Sequence, residues 1–301
     1  MNRVLQDLVS LLDLEPLEVN LFRGQSRDLG GKSVYGGQVI GQALVAAART
    51  VEGAVPHSLH AYFLRPGDMA QPIVYEVDRV RDGRTFTARR VQAIQHGAPI
   101  LSLIASFQKP EEGLTHQVPM PEVPRPEQLE SQHLQRRRYA EHAAAGGTLS
   151  ERVQTALTRE LAIEFKAVQP WNPLAPEKRA PAQHFWLRAA GRLPDDPLLH
   201  TCVLAYATDF NLLSTALLPH GKSWFSPGMI VASVDHALWF HREVRVDDWL
   251  LYSMDAPTAQ GARGFSRGLI FDSRGRLVCS VAQESLMRHV EKGDAPLSPE
   301  R

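Results

Sequence analysis

The feature that most constrains the fold of this 301-residue chain is a phrase that occurs twice. HAYFLRPGD, beginning at His60, and HALWFHREV, beginning at His236, both place His-Ala before large apolar residues and a basic residue. The likeness continues downstream, where Tyr75 in PIVYEVDRV matches Tyr252 in WLLYSMDAP. A long-range internal repeat indicates two copies of one structural unit, so we align His60 with His236 before assigning other elements.

Each copy combines one long helical pattern with runs of β-type residues. The second helical pattern has Asp196 as a natural N-cap and Pro197 as a natural first-turn residue. Paired strand patterns follow each helix, and the turn inside the first pair is His96-Gly97. The helical patterns are VYGGQVIGQALVAAART (34–50) and PLLHTCVLAYATDFNLLSTALL (197–218), and the strand pairs lie at 83–108 and 262–285.

The repeat predicts an α+β fold in which a long helix is wrapped by an antiparallel β-sheet, twice. An exposed sheet edge is a liability, and two such units remove it when they pair edge to edge. The predicted boundaries are 1–109 for the N-terminal repeat, 110–160 for a linker with a helical segment, 161–290 for the C-terminal repeat and 291–301 for a tail. Remaining sheet edges and apolar helix faces favour a homo-oligomer, either a dimer or a tetramer.

Composition narrows the classes of partner and the compartment. Thirty-three basic residues balance thirty-three acidic ones, which argues against a broad basic face for nucleic acid or anionic lipid. The two cysteines, Cys202 and Cys279, are too few for a disulfide scaffold and form no CxxC metal or redox pair. No apolar run approaches the ~20 residues of a membrane helix, and the N-terminus lacks a signal-peptide cleavage site. We therefore expect a cytoplasmic protein that binds neither nucleic acid nor membrane.

Longer motifs resemble those of the acyl-CoA thioesterase II family, whose enzymes are double-hotdog proteins. The motifs are LFRGQS, YGGQVIGQAL, HSLHAYFLRPGD, VRDGRTFTARRV, YATDFNLL, VDHALWFHR, WLLY, ARGF and QESLMR, and the resemblance runs from about Leu5 to Arg288. It implies a hydrolase of lipid metabolism that converts fatty acyl-CoA to free fatty acid and coenzyme A without metal or redox cofactor. It also implies three catalytic residues: Asp209 in YATDFN, Ser233 in VASVDHALWFH and Gln283 in SVAQESLMR.

The chemistry of thioester hydrolysis fits the residue types that the resemblance selects. The reaction needs a water, a base that takes its proton and donors that stabilise the developing oxyanion. Asp209 is the only carboxylate in an apolar helical stretch, and burial would raise its pKa and make it a better base. Ser233 and Gln283 are uncharged hydrogen-bonding residues that can hold the water and the carboxylate. Taken singly, each of the three is more typical of a structural residue, and only the resemblance unites them.

The repeat provides a check on the number of sites. When the halves are aligned, Gln38 falls at Asp209, His57 at Ser233 and Ser106 at Gln283. The first half thus lacks all three catalytic groups, and we predict one working site per chain.

Several residues of the first half are candidates for contact with the substrate. Gly36 and Gly37 begin the first helix, where bare N–H groups can face a thioester oxygen, although glycines also permit close packing. His57 is the alternative base, with a structural histidine as the other interpretation. The arginines near the repeated strands, Arg65, Arg89 and Arg90, are candidates for the coenzyme A phosphates.

Two other functions remain open at this stage. A hotdog hydratase or dehydratase would act on the acyl chain with an acid–histidine pair, for which Asp235-His236 is the candidate. Because His60 matches His236 while Leu59 matches Asp235, we interpret the histidine as shared framework. The second alternative is a non-catalytic sensor that binds acyl-CoA, and fold alone does not decide between these functions.

Overall fold

The structure is a computed structural model that describes residues 2–147 and 149–290. The predicted tail at 291–301 lies outside the described residues. The first repeat contains α1 (Arg3–Leu12), β1 (Glu15–Glu18), β2 (Leu21–Gly24), α2 (Gly36–Ala48), β3 (Val55–Phe63), β4 (Ile73–Asp82), β5 (Phe86–Gln95) and β6 (Ala98–Gln108).

The linker contains a 3₁₀ turn (Pro126–Gln128) and helices α3 (Gln132–Ala145) and α4 (Glu151–Thr158). The second repeat contains β7 (Ile163–Ala167), β8 (Ala182–Ala189), α5 (Pro197–Thr208), α6 (Leu212–Leu217), a 3₁₀ turn (Leu218–His220), β9 (Met229–Ser233), β10 (Asp235–Phe240), β11 (Leu250–Gln260), β12 (Arg263–Asp272) and β13 (Leu277–His289).

All the described strands join one antiparallel sheet, which confirms the α+β prediction. Their order is β1-β2-β4-β5-β6-β3-β10-β13-β12-β11-β8-β7, and β9 also pairs with β13. The two halves of the sheet therefore meet at β3 and β10, and no gap separates the repeats. Helix α2 packs on the first half of the sheet and α6 on the second, so that the main core lies between helices and sheet.

The repeated phrases form the seam between the two halves. In the β3–β10 pair, Leu59 lies opposite Leu238, His60 opposite Ala237 and Ala61 opposite His236. Side chains alternate between the two faces of a strand, so each cross-strand pair shares one face. His60 is exposed on the outer face, whereas His236 is completely buried. The alignment of His60 with His236 is therefore wrong, because it places one face of the sheet on the other.

The alignment that preserves the faces differs by one residue and matches Leu59 with His236. It also matches Tyr75 with Tyr252, both completely buried, without an insertion between them. Both halves carry a bulge at the start of the seam strand. In the first half, Pro56 pairs with Phe107 but Ser58 pairs with Ser106, so one residue of β3 has no partner on β6. In the second half, Ser233 pairs with Ser285 and Ala237 pairs with Ala282, so the segment from Ser233 to Ala237 is one residue longer than the segment of β13 that it faces. The extra residues at the bulges are His57 and Val234.

This correction changes which residues of the first half stand at the predicted site. Pro56, not His57, is the counterpart of Ser233, and Ala105, not Ser106, is the counterpart of Gln283. A proline and an alanine carry no side-chain hydrogen-bonding group. In the corrected alignment too, the first half therefore lacks the carboxylate, hydroxyl and amide groups of the predicted site.

The predicted single helix over 197–218 is broken at the predicted base. Helix α5 ends at Thr208 with Asp209 as its C-cap, and Asn211 adopts a left-handed backbone with φ of 65° before α6 begins. By length and composition alone, Pro197–His220 is the one helical stretch among the described residues that would be able to cross a membrane. Eighty-three per cent of its most apolar window is buried inside the protein, which is also the property of a core helix.

The segment between the repeats covers the outer face of the second half-sheet. Three residues of β8, β11 and β12 form a small separate core on that face, namely Trp186, Leu251 and Phe271. Met120, Val123 and Leu129 of the linker pack against them, and the Trp186 indole N–H donates to the Pro124 carbonyl at 2.8 Å. The linker is therefore a structural part of the second repeat rather than a free tether.

Replacing Trp186 by alanine will destabilise the protein because it opens a cavity between linker and sheet. We expect the free energy of unfolding to fall by about 3–5 kcal/mol, measured by denaturant titration. The matched control is Trp224→Ala, since Trp224 is 39% exposed, and we expect a loss of about 1 kcal/mol at most. Equal losses for both variants would contradict the role of the linker.

Candidate active site

Asp209 is a buried carboxylate that is held by groups from both repeats. It caps the C-terminal end of α5 and is 9% exposed. Its Oδ2 accepts a hydrogen bond from the Gly37 N–H at 2.9 Å, and its Oδ1 accepts one from the Ser233 hydroxyl at 3.4 Å. Gly37 lies in the first turn of α2, so the positive end of that helix faces the carboxylate. The first repeat thus contributes directly to the site of the second.

The electrostatic environment makes Asp209 a stronger base than an exposed aspartate. Burial raises its pKa above the ordinary value, because desolvation disfavours the charged form. The nearby His236, the Gly37 N–H and the Ser233 hydroxyl oppose this shift by favouring the carboxylate. The carboxylate remains hydrogen-bonded, yet it accepts a proton more readily than an aspartate in water does.

The three residues predicted from the family motifs form one hydrogen-bonded network. Ser233 ends β9, and Gln283 lies on β13 with its side chain completely buried. The Gln283 amide Nε2 donates to the Ser233 hydroxyl at 3.1 Å and to the Ser285 hydroxyl at 3.0 Å. Ser233 in turn contacts Asp209. A break in a helix and two neighbouring strands therefore bring carboxylate, hydroxyl and amide together.

A fourth residue joins this network, namely the histidine that the sequence repeat led us to interpret as shared framework. His236 is completely buried, with Nδ1 at 2.6 Å from Gln283 Oε1 and Nε2 at 3.0 Å from the Thr208 hydroxyl. Burial lowers its pKa below the ordinary value, while the proximity of Asp209 opposes that shift. The signal that identifies it is the alternation of faces along β10, which the misaligned repeat had concealed.

The neighbouring acid does not form a catalytic pair with this histidine. Asp235 lies opposite the exposed Tyr62 and therefore on the outer side of the sheet. Its carboxylate accepts the Glu284 backbone N–H at 2.6 Å. Asp235 and His236 thus point to opposite faces, which removes the main structural basis for a hydratase.

The two glycines at the start of α2 are required by close packing around the carboxylate. A Cβ atom on Gly36 would lie 2.8 Å from Asp209 Oδ2, and one on Gly37 would lie 2.3 Å from the Tyr206 carbonyl oxygen. The Gly37 N–H, expected to face a thioester oxygen, is instead bonded to Asp209. Gly36 keeps its place beside the carboxylate in the first turn of the helix.

His57 and the first-repeat glutamines belong to separate clusters. His57 Nε2 lies 2.8 Å from the Ser106 hydroxyl, and its ring contacts Phe86, so its partners are in the first repeat. Gln38 Nε2 donates to the Gln25 carbonyl at 3.0 Å and lies 3.3 Å from Gln42 Oε1. These amide groups are satisfied by one another and by backbone, and they carry no charge.

The predicted arginines differ in their surroundings. Arg89 is 1% exposed and bonds to the Thr50 hydroxyl and the Asp82 carboxylate, so its role is structural and it is not open to a phosphate. Arg90 pairs with Asp78, and Arg65 donates to the Pro99 carbonyl at 2.8 Å. Within residues 2–147 and 149–290, no group of three or more His, Cys, Asp or Glu side chains is placed to hold a metal ion.

Comparison with known protein families gives two matched regions, one in each repeat. Residues 157–286 match the family model described as acyl-CoA thioesterase, and residues 25–108 match its N-terminal domain. The chain is 40% identical to acyl-CoA thioesterase 2 of Haemophilus influenzae over 97% of this chain and 100% of the relative. It is 42% identical to human acyl-coenzyme A thioesterase 8 over 93% of this chain and 88% of the relative.

A solved structure agrees over nearly the full length. The crystal structure of an acyl-CoA thioesterase II, TesB2 from Mycobacterium marinum, has a TM-score of 0.76 and 40% identity. The match covers 94% of this chain and 98% of that one. The double-hotdog prediction is thereby confirmed.

Removing the charge of Asp209 will stabilise the folded chain at neutral pH. When the pKa of a carboxyl is higher in the folded chain than in the unfolded chain, the folded protein becomes more stable as the pH falls through the pKa of the folded state. Asp209→Asn keeps the shape and one acceptor oxygen, for the Gly37 N–H, and removes the cost of burying the charge. We therefore expect the free energy of unfolding of the variant to exceed that of wild type at pH 8, with the difference narrowing toward pH 4.

Denaturant unfolding across that pH range measures the effect. Glu112→Gln, an exposed neutralisation in the linker, serves as the control and should leave the pH dependence unchanged. An Asp209→Asn variant that is less stable than wild type at every pH would contradict the burial argument.

Proposed function

The chain belongs to the acyl-CoA thioesterase II family, and from this premise we propose that it hydrolyses fatty acyl-CoA at a single site in the second repeat, with Asp209 as the base. That the protein is an acyl-CoA thioester hydrolase follows from its full-length identity to named thioesterases. The roles of individual residues are the proposal. The observation that supports them is the continuous network from Asp209 through Ser233 to Gln283.

In the proposed reaction, a water held by Ser233 and Gln283 loses a proton to Asp209 while its oxygen attacks the thioester carbonyl carbon. The carbonyl π electrons move to oxygen and form a tetrahedral oxyanion. The backbone N–H of Gly36, in the first turn of α2, is the donor we propose for that oxyanion, aided by the positive end of the helix.

Collapse of the tetrahedral species re-forms the carbonyl and breaks the carbon–sulfur bond. The coenzyme A thiolate leaves and takes up the proton from Asp209, so the products are a free fatty acid and the thiol. A thiol with a pKa near 8.5 is a good leaving group, which explains why one carboxylate suffices as both acceptor and donor.

The alignment of the two repeats that preserves the faces of the sheet supports one such site per chain. Pro56 and Ala105 stand where the second repeat has Ser233 and Gln283, and neither has a side-chain group for water. The first repeat instead contributes the N-terminus of α2, whose Gly37 N–H holds the Asp209 carboxylate.

Two variants of neighbouring acids test the base. We expect Asp209→Asn to lower kcat with saturated fatty acyl-CoAs by at least about 1,000-fold, because the water loses its proton acceptor. Asp235→Asn, on the other face of the sheet, should stay within about threefold of wild type. Release of free thiol, followed with several chain lengths, measures both variants and the chain-length preference.

The outcomes separate the alternatives. Full activity in Asp209→Asn would refute the proposed base, and His57 would be the next residue to replace. Absence of thiol release together with hydration of a 2-enoyl-CoA that is lost in Asp235→Asn would favour the acid–histidine pair of a hydratase. Tight binding of acyl-CoA by wild type without thiol release would favour a sensor.

We also propose that the protein acts in lipid metabolism in the cytoplasm, apart from nucleic acid and membranes. Both cysteines are buried and unpaired, which suits a reducing compartment. The formal net charge of zero offers no broad attraction to anionic polymers or lipid surfaces. Cell fractionation of the tagged protein tests the location.

The outer face of the first half-sheet supports a homo-oligomer, a dimer or a tetramer. Tyr62 is 58% exposed and Ile104 is 44% exposed on this face, and the linker covers the equivalent face only in the second half. Exposed apolar residues in the middle of a sheet favour association.

A charge on that face will weaken the association. We expect light scattering coupled to gel filtration to give a dimer or tetramer for wild type and a shift toward monomer for Ile104→Glu. Leu114→Glu, the same kind of change at a fully exposed leucine of the linker, is the matched control. A monomeric wild type at micromolar concentration would contradict the oligomer.

A further inference from the structure

His236 connects the site to the core through two hydrogen bonds. On one side, Nε2 lies 3.0 Å from the Thr208 hydroxyl, at the last residue of α5. On the other side, Nδ1 lies 2.6 Å from Gln283 Oε1. The imidazole ring therefore bridges the helix that ends at Asp209 and the strand that carries Gln283.

The positions of the hydrogens follow from what each partner can do, and we assign them from the network. An amide oxygen only accepts, so the short contact with Gln283 requires a hydrogen on Nδ1. Burial lowers the pKa of His236 and favours the neutral ring, which has one N–H. Nε2 is then an acceptor, and the Thr208 hydroxyl supplies its donor by turning its single hydrogen from the Ala205 carbonyl, 2.8 Å away, to the ring.

This tautomer determines the orientation of the Gln283 amide. With Oε1 bound to the Nδ1–H of His236, the two hydrogens of Nε2 face Ser233 and Ser285. Were the amide to rotate by half a turn, its oxygen would face these hydroxyls, and Ser233 and Ser285 would lose their N–H donors. The contact with His236 is what distinguishes the two orientations.

We propose that His236 is a positioning residue of the hydrolase, which holds the Gln283 amide with its N–H donors toward the Ser233 and Ser285 hydroxyls and so orients Ser233 for Asp209 and the attacking water. This inference rests on the proposed function of Asp209, Ser233 and Gln283. His236 acts through Gln283, and Thr208 in turn holds His236.

The first repeat supports this role by what it lacks. The counterparts of His236 and Gln283 are Leu59 and Ala105, so the half without the amide is also without the histidine. Leu59 is completely buried at its place in the seam, which shows that a leucine fits this position of the fold. A histidine that served only to join the half-sheets would be equally useful in both strands.

The test compares kcat and KM for thiol release in four variants of the full chain. His236→Leu copies the first repeat and removes the bond to Gln283. His236→Asn places an amide N–H near the position of Nδ1, and Thr208→Val removes the hydroxyl that contacts Nε2 and the Ala205 carbonyl. His60→Leu, the exposed residue of the repeated phrase, is the matched control.

We expect His236→Leu to lower kcat by about 10- to 100-fold with KM within about threefold, because Gln283 loses its fixed orientation. His236→Asn should restore kcat to within about fivefold of wild type, and Thr208→Val should lower it by about threefold to tenfold. His60→Leu should match wild type. The pH profile of kcat/KM should keep its acid limb in His236→Asn, since Asp209 remains the base.

Other results would overturn the inference. A wild-type kcat in folded His236→Leu would show that Gln283 needs no such partner. Equal losses in His236→Leu and His236→Asn, with an altered pH profile, would show that the ring itself transfers a proton. If His236→Leu fails to fold, Thr208→Val decides: a lowered kcat supports the role, and a wild-type kcat refutes it.

Asp209→Asn, assayed in parallel, separates this inference from the proposed function. Activity retained in that variant would refute the site as a whole. An inactive Asp209→Asn beside a fully active His236→Leu would refute only the role of His236.

Discussion

The antiparallel pairing of β3 with β10 determines which side chains of the repeated phrase enter the core. Strand side chains alternate with a period of two, so a shift of one residue exchanges the inner and outer faces. With Ala61 opposite His236, the second histidine faces the helices and the first faces outward. The same pairing continues one sheet through both repeats. The pairing of β3 with β10 therefore joins the two half-sheets and also places His236, rather than His60, on the face that contains the site.

A buried carboxylate is costly unless hydrogen bonds compensate for its lost hydration. Asp209 obtains these bonds from Gly37 in one repeat and Ser233 in the other. The break between α5 and α6 is what lets a helical residue present its carboxylate in this way, since Asn211 takes the left-handed backbone that interrupts the helix. The residual desolvation makes the carboxylate a better base. Stability and chemistry are thus opposed at this residue, as is common at active sites.

Much of this arrangement was predictable from the sequence. The helical and strand patterns gave the α+β fold, and His96-Gly97 was predicted as a turn because this type of dipeptide tolerates positive φ, as observed at 50° and 73°. The family motifs named Asp209, Ser233 and Gln283, which the structure places in one network. Their catalytic roles stay predictions.

The features that the sequence did not predict depend on the placement of single residues in the folded chain. The bulges at His57 and Val234 stand at equivalent positions of the two repeats, so the one-residue error comes from the His-Ala phrase itself, which falls on opposite faces of the two strands. His60 and His236 look equivalent as letters, yet they face opposite sides. The helix break at Asn211 and the packing of the linker on Trp186 depend on tertiary contacts that local pattern does not contain.

The polar network is confined to the second repeat for a physical reason. One base can be buried only where donors surround it, and the N-terminus of α2 is such a donor for the partner repeat rather than for its own. Because the first repeat already contributes the N-terminus of α2 to the site in the second repeat, a second histidine and glutamine in its own strands would add buried polar groups without a matching partner. Leu59 and Ala105 fill those positions with apolar volume instead. The first repeat can thus contribute core stability and a helix dipole, while the second carries the polar network that hydrolysis requires.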